Sequence, residues 1–230
     1  MNSIDDNHVF KKIKSIPCSQ SSCIVKPLCC YHYLWWNQKQ TLSISEQLAI
    51  GIRGFDLNLL YEKNTFFIGE DKMASQKTLS SFLEDVYFFL DNQTSEFIFL
   101  FLKKDKEQEW DESILSRFWH IFDEKYIVKS EKSILQTPIK VLRKKIIPVL
   151  IDIDLLKYKS PSFGYIKKSE IHTQYITPSY SDTLKTFQFN TYKRIIVKGV
   201  LLNETCNGFV CLEHVNNNNV EKLIRNKNLS

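Results

Sequence analysis

Apolar positions recur along this chain with two periods. Leu79, Phe82, Leu83, Val86, Phe89 and Leu90 follow i, i+3, i+4, i+7 spacing, which predicts an amphipathic helix with Thr78 as its N-cap. Residues 109–123 repeat that spacing through Ile114, Leu115, Phe118, Ile121 and Phe122. Ser43 and Glu46 have the spacing of a capping box, so another helix starts near Ile44 and stops at Gly51. The stretches "TPSYSDTLKTFQF", with Pro178 at a first helical position, and "NNNNVEKLIRN" supply two more. Between them lie strand-like runs: "IRGFDLNLL", "NTFFIG", "EFIFLFLKK", "KKIIPVLIDI", "RIIVKGVLL" and "GFVCLEHV". "EFIFLFLKK" is apolar on both faces and needs cover on both sides. Such strands alternating with helices predict a parallel sheet, and about seven units predict an α/β fold: a closed or distorted TIM-like (β/α) barrel. One domain over 1–230 is expected, with 1–12 as a flexible tail.

Composition fits that picture. A length of 230 residues suits a single barrel. An apolar fraction of 43%, with 16 Phe and 10 Tyr, is ample for a core, and only 6 Gly and 6 Pro argue against a long linker. The net charge of +5 is mild, and the basic residues come as pairs (Lys11-Lys12, Lys103-Lys104, Lys144-Lys145) without interleaved aromatics. That predicts no nucleic-acid partner. No apolar h-region opens the chain and no run reaches about 18 apolar residues, so the sequence predicts no signal peptide, no transmembrane segment and a cytoplasmic protein. Cys18, Cys23, Cys29, Cys30, Cys206 and Cys211 lack zinc-site spacing and read as small buried thiols. A monomer without cofactor or metal is expected.

Barrels of this kind carry their chemistry at the C-terminal ends of the strands. Those positions are Gln20, Asn58, Glu70, Lys103, and Glu213 or His214.

Four stretches in order, "IPCSQSSC", "SISEQLAIGIRGFDLN", "NTFFIGED" and "TLSSFLEDVYFFLDNQTSEFIFLFLKKD", resemble the X-domain of phosphatidylinositol-specific phospholipase C. The small single-domain bacterial kind is closest. Its pattern runs Ile-Pro-Gly-Ser/Thr-His-Asp-Ser-Gly, then Gly-x-Arg-x-Phe-Asp-x-Arg, a strand ending His-His-Gly, and Asn-Pro-Ser-Glu before an apolar strand ending in Lys. Residues 64–105 can be laid on it without a gap; "LRKKIIPVLI", "RIIVKGVLL" and "GFVCLEHV" fit its later strands more loosely. The resemblance implies phosphodiester cleavage in which one His removes the inositol 2-hydroxyl proton, an Arg stabilises the phosphoryl charge and a second His protonates the leaving oxygen.

Carried over, that machinery is largely absent. The first His is Gln20, the Asp beside it Ser21, the Arg Asn58 and the second His Glu70; the carboxylate orienting the first His falls on Glu213. Asp56 and Lys103 match and stand as substrate-binding positions, while a further family Arg lands near Ile151. A neutral amide cannot act as a general base. Each lost acid or base removes roughly two to four orders of magnitude in rate, and the lost Arg charge about 3–4 kcal/mol. In the eukaryotic relatives the positions of Ser21, Asp56, Asn58 and Lys103 hold calcium ligands; an ammonium at Lys103 argues against calcium here.

The sequence therefore predicts a catalytically degenerate phospholipase C-like barrel that binds a lipid headgroup, a membrane surface or a protein. Tyr33, Leu34, Trp35 and Trp36 of "YHYLWWNQ" are the expected membrane contacts, implying peripheral association. The alternative is an active phosphodiesterase that uses Glu70 and a displaced His, either His32 or His214, on phosphoinositides or glycerophosphodiesters. A metal-dependent glycerophosphodiesterase would need an early His-Arg pair and a Glu-x-Asp pair, and the chain has no His-Arg pair.

Overall fold

The computed structural model describes residues 15–19, 40, 42–70, 73–130, 134–158, 163–170, 173–176 and 208–212. In chain order the elements are β1 (Ser15–Ser19), α1 (Ile44–Ala49), β2 (Gly54–Glu62), β3 (Thr65–Glu70), β4 (Met73–Thr78), α2 (Leu79–Asn92), β5 (Ile98–Lys104), α3 (Glu112–His120), α4 (Ile139–Leu142), β6 (Ile146–Leu150), β7 (Ile166–Lys167), β8 (Thr173–Ile176) and β9 (Gly208–Leu212). The strands make one sheet in the order β7-β6-β5-β2-β1-β9-β8, with every neighbour along it parallel. β1 lies between β2 and β9, so the first and last strands are neighbours, as barrel closure requires. Among the described residues the path is open between β7 and β8.

Local signals account for several elements. Ser43 Oγ accepts from the Glu46 N–H at 3.3 Å while Glu46 Oε2 accepts from the Ser43 N–H at 2.7 Å, closing the expected capping box. Thr78 Oγ1 accepts from the Ser81 N–H at 3.1 Å and starts α2 where its periodicity begins. α3 is shorter than the 109–123 expected: Asp111 Oδ1 accepts from the Ile114 N–H at 2.8 Å, fixing the start at Glu112. The all-parallel reading needs one amendment. β3 and β4 form an antiparallel hairpin on the edge of β2. Lys63 and Asn64 take φ of 49° and 62° at the β2–β3 turn, the left-handed pair that a two-residue hairpin turn requires.

Alternation splits the core into two layers. Phe55, Leu57 and Leu59 of β2 and Ile98, Leu100 and Leu102 of β5 pack outward against Leu48 of α1, Phe82, Leu83 and Val86 of α2 and Phe118 of α3. Ile16 and Cys18 of β1, Phe99 and Phe101 of β5, Ile147 and Val149 of β6 and Ile166 of β7 fill the inner face. The N-terminal pole is tied by a buried ion pair. Arg53 Nε donates to Glu96 Oε2 at 2.7 Å, its Nη1 donates to the carbonyls of Leu48 at 2.7 Å and Ile52 at 2.8 Å, and the guanidinium lies 4.7 Å over the Phe89 ring. These are the Arg of Gly-x-Arg-x-Phe-Asp and the Glu of the Ser-Glu that precedes the apolar strand. Their part is to join the starts of β2 and β5.

Candidate functional site

The inner face of β2 continues from Gly54 to Asp56 and Asn58, opposite in alternation to Phe55, Leu57 and Leu59. Parallel register sets Asp56 beside Phe101 and Asn58 beside Lys103. The interior is therefore apolar up to Cys18 and Phe99; Asp56 enters beside Phe101, and at the next layer toward the C-terminal ends Asn58 and Lys103 stand side by side on one face. Both are half-buried, as is Asp56. This is the barrel pole where the sequence reading put the chemistry.

Under that layer Cys18 and Gly54 are register partners in close contact. A Cβ on Gly54 would overlap Cys18 Sγ and stand 3.0 Å from its Cβ and 3.3 Å from Phe101 Cε2. The Cys18 thiol fills the space left by the missing side chain at Gly54.

Beside Lys103 the structure opens an outer cleft of about 410 Å³ lined by Lys103, Lys104, Lys106, Ile151, Asp152 and Asp154. That volume falls within the roughly 300–1,000 Å³ of small-molecule sites. The far wall is a 3₁₀ turn, Ile153–Leu156, held down by Trp119 Nε1 donating to the Leu155 carbonyl at 2.8 Å. Asp154 pairs with Lys157 at 2.9 Å and, more loosely, with Lys104 at 3.8 Å. The Lys157 hydrogen bond and charge hold the Asp154 carboxyl below the usual carboxylate range. Lys104 Nζ also donates to the Gln108 carbonyl at 3.3 Å. Among the described residues, neither Lys103 nor Lys106 has a carboxylate within ion-pair distance.

The sequence-predicted positions fare unequally. Asp56, Asn58 and Lys103 come together at the mouth. Glu70 ends β3, where its backbone pairs with Met73, two residues past the Leu59–Ile68 pairing with β2. Ser19, buried, is the last described residue of the first motif; Gln20, Ser21, Glu213, His32, His214 and the Tyr33, Leu34, Trp35 and Trp36 segment lie outside the described residues. His120 is described: its Nδ1 lies 2.7 Å from the Ser116 carbonyl on the exposed side of α3, far along the chain from the mouth strands. Among the described residues no group of three or more His, Cys, Asp or Glu could hold a metal ion, and no helix is long and apolar enough to cross a membrane. Sequence reasoning missed Lys104, Lys106, Asp152 and Asp154 as a group. The available signal was charge after two adjacent strands, "KKDK" and "DID", but only the β5–β6 pairing makes those ends neighbours.

No family model matches the chain and no curated protein sequence matches it. Among solved structures it is similar to the phosphatidylinositol-specific phospholipase C of Listeria monocytogenes, with TM-score 0.76 and 20% identity over 99% of this chain and 97% of that one. It is similar also to the enzyme of Staphylococcus aureus, in a structure concerned with modulation of its membrane binding, with TM-score 0.63 and 14% identity over 93% and 89% of the two chains.

Proposed function

The chain has the fold of the bacterial phosphatidylinositol-specific phospholipases C, a TIM-like barrel, and we propose that it uses the barrel mouth to bind a phosphorylated polyol headgroup without cleaving it. The observation that supports this best is the Asn58–Lys103 pair facing the mouth, next to an open cleft. Lys103 supplies a compact cation for a phosphate oxygen. Asn58 and Asp56 add polar groups on the same face of β2. Catalysis asks for more: a titratable base near pH 7 and a charge at the phosphoryl oxygens in the transition state. Gln20 and Asn58 provide neither. The aromatic segment containing Trp35 and Trp36 would seat the rim on a bilayer surface and bring the mouth to headgroup level.

Two measurements on the full chain test this. Glycerophosphoinositol and phosphatidylinositol vesicles, followed by phosphorus NMR, should show no turnover above buffer. Myo-inositol 1-phosphate should raise the melting temperature, by about 2.7 kcal/mol of added stability at a hundred times its dissociation constant, and Lys103→Ala should remove the shift. Turnover that disappears in Glu70→Gln and survives in a surface control overturns the reading and makes the protein an enzyme with a rearranged site.

A further inference from the structure

The charges around the cleft specify more than a headgroup. This step rests on the binding reading above and concerns what kind of phosphate is bound. A phosphodiester carries a single negative charge. A phosphomonoester carries about −1.5 to −2 near pH 7, because its second proton leaves near pH 6.

The cleft has room for the second charge. Lys103 from β5 and Lys106 just after it face the same space, and among the described residues neither has a carboxylate within ion-pair distance. Of the two aspartates on the far wall, Asp154 is ion-paired and Asp152 keeps its charge. Asp154 is held by Lys157 at 2.9 Å and reached by Lys104 at 3.8 Å, and Asp152 Oδ1 accepts from the Asp154 N–H at 3.0 Å. Among the described residues these two ammonium groups have no fixed counter-charge, and together they match a dianion; a monoanionic diester would leave one of them unmatched.

We propose that this site takes a dianionic phosphomonoester of a polyol in preference to a phosphodiester, with Lys103 and Lys106 sharing the terminal phosphate.

The test uses the full chain and calorimetric titration with two probes that share a ring, myo-inositol 1-phosphate and glycerophosphoinositol. At pH 8 the monoester should bind about tenfold or more tightly, the difference expected from one extra charge-assisted contact. The preference should collapse between pH 7 and pH 5, where the monoester takes up its second proton. Among the described residues the charged groups around the cleft are Lys103 and Lys104 of β5, Lys106, Asp152 and Asp154 beyond β6, Lys157, and Asp56 of β2. The diester serves as the control for any change in the protein. Lys106→Ala should weaken the monoester about tenfold and leave the diester within twofold; Lys106 is exposed, so the variant should fold.

Phosphatidylcholine vesicles carrying either phosphatidylinositol 4-phosphate or phosphatidylinositol identify the source. Retention by the former alone assigns a membrane-borne monoester. Binding of inositol 1-phosphate without vesicle retention assigns a free one. A diester that binds as tightly as the monoester at pH 8, or a preference unchanged by Lys106→Ala, overturns this inference and leaves headgroup binding standing. Binding of neither soluble probe overturns both.

Discussion

Gly54→Ala should damage this barrel out of proportion to one added methyl. Gly54 begins β2 with its Cα paired to Cys18 of β1 and Phe99 of β5, so strands on both sides fix its position. The new Cβ would overlap Cys18 Sγ, approach the Cys18 Cβ to 3.0 Å and meet Phe101 Cε2 at 3.3 Å. Cys18 and Phe101 are fully buried, and Cys18 Sγ already lies 3.5 Å from the Ile16 carbonyl, so the thiol has little space in which to turn away. Overpacking of this kind costs about 1–3 kcal/mol, and the upper end applies because two hydrogen-bonded strands would have to part. The decisive experiment is a double-mutant cycle by urea unfolding. Cys18→Gly alone leaves a small cavity and adds backbone freedom, for a loss of about 1–2 kcal/mol. In the double variant the two changes compensate, since the glycine has moved from one strand to its neighbour; a coupling of about 1–3 kcal/mol is expected. The resulting chain has Gly at position 18, as the phospholipase loop does. A Gly54→Ala cost under about 0.5 kcal/mol, or a coupling near zero, would refute the steric argument.

Two further outcomes follow from charges at the opposite pole. Arg53→Met should cost about 3–5 kcal/mol in urea unfolding by leaving the nearly buried Glu96 carboxylate without its guanidinium; Arg53→Met with Glu96→Leu should recover most of it, and equal losses in single and double variants would show that the pair is not the reason. Asp91 is held down to about 2 by hydrogen bonds from Lys144 Nζ at 2.6 Å and Tyr126 Oη at 2.6 Å, with Lys125 nearby. Its folded value lies below the ordinary unfolded value of about 3.9, so the stability it contributes is complete above about pH 5 and is lost as pH falls toward 2. Asp91→Asn should therefore flatten the acid limb of a stability–pH curve between pH 5 and 2, and an unchanged limb would contradict this assignment.

The legible parts of the chain were those where one local force decides. The Ser43–Glu46 box, the Thr78 cap and the α2 periodicity act within a single turn or a single face, and each stands where the sequence puts it. β5 was legible because a strand covered on both faces has to be apolar throughout. β4 was not: "MASQKT" has no period of two, and it is a strand only because the turn from β3 brings it back to pair with Thr65–Glu70. Trp119 went unnoticed because its role, donating to the Leu155 carbonyl, joins α3 to a turn 36 residues away.

The candidate site divides along the same line. That Gln20 and Asn58 cannot act as a general base or supply a positive charge follows from residue type alone, since an amide has no proton to exchange near neutral pH in any fold. Asp56 and Lys103 were legible as matches to the phospholipase pattern. Register decided the rest. Asn58 and Lys103 are 45 positions apart and become neighbours only through the parallel pairing of β2 and β5. Lys106 and Asp154 share a cleft only because β5 and β6 end side by side. Short-range forces are written in consecutive residues, whereas the field at a barrel mouth is a sum over strand ends that meet only in the folded sheet.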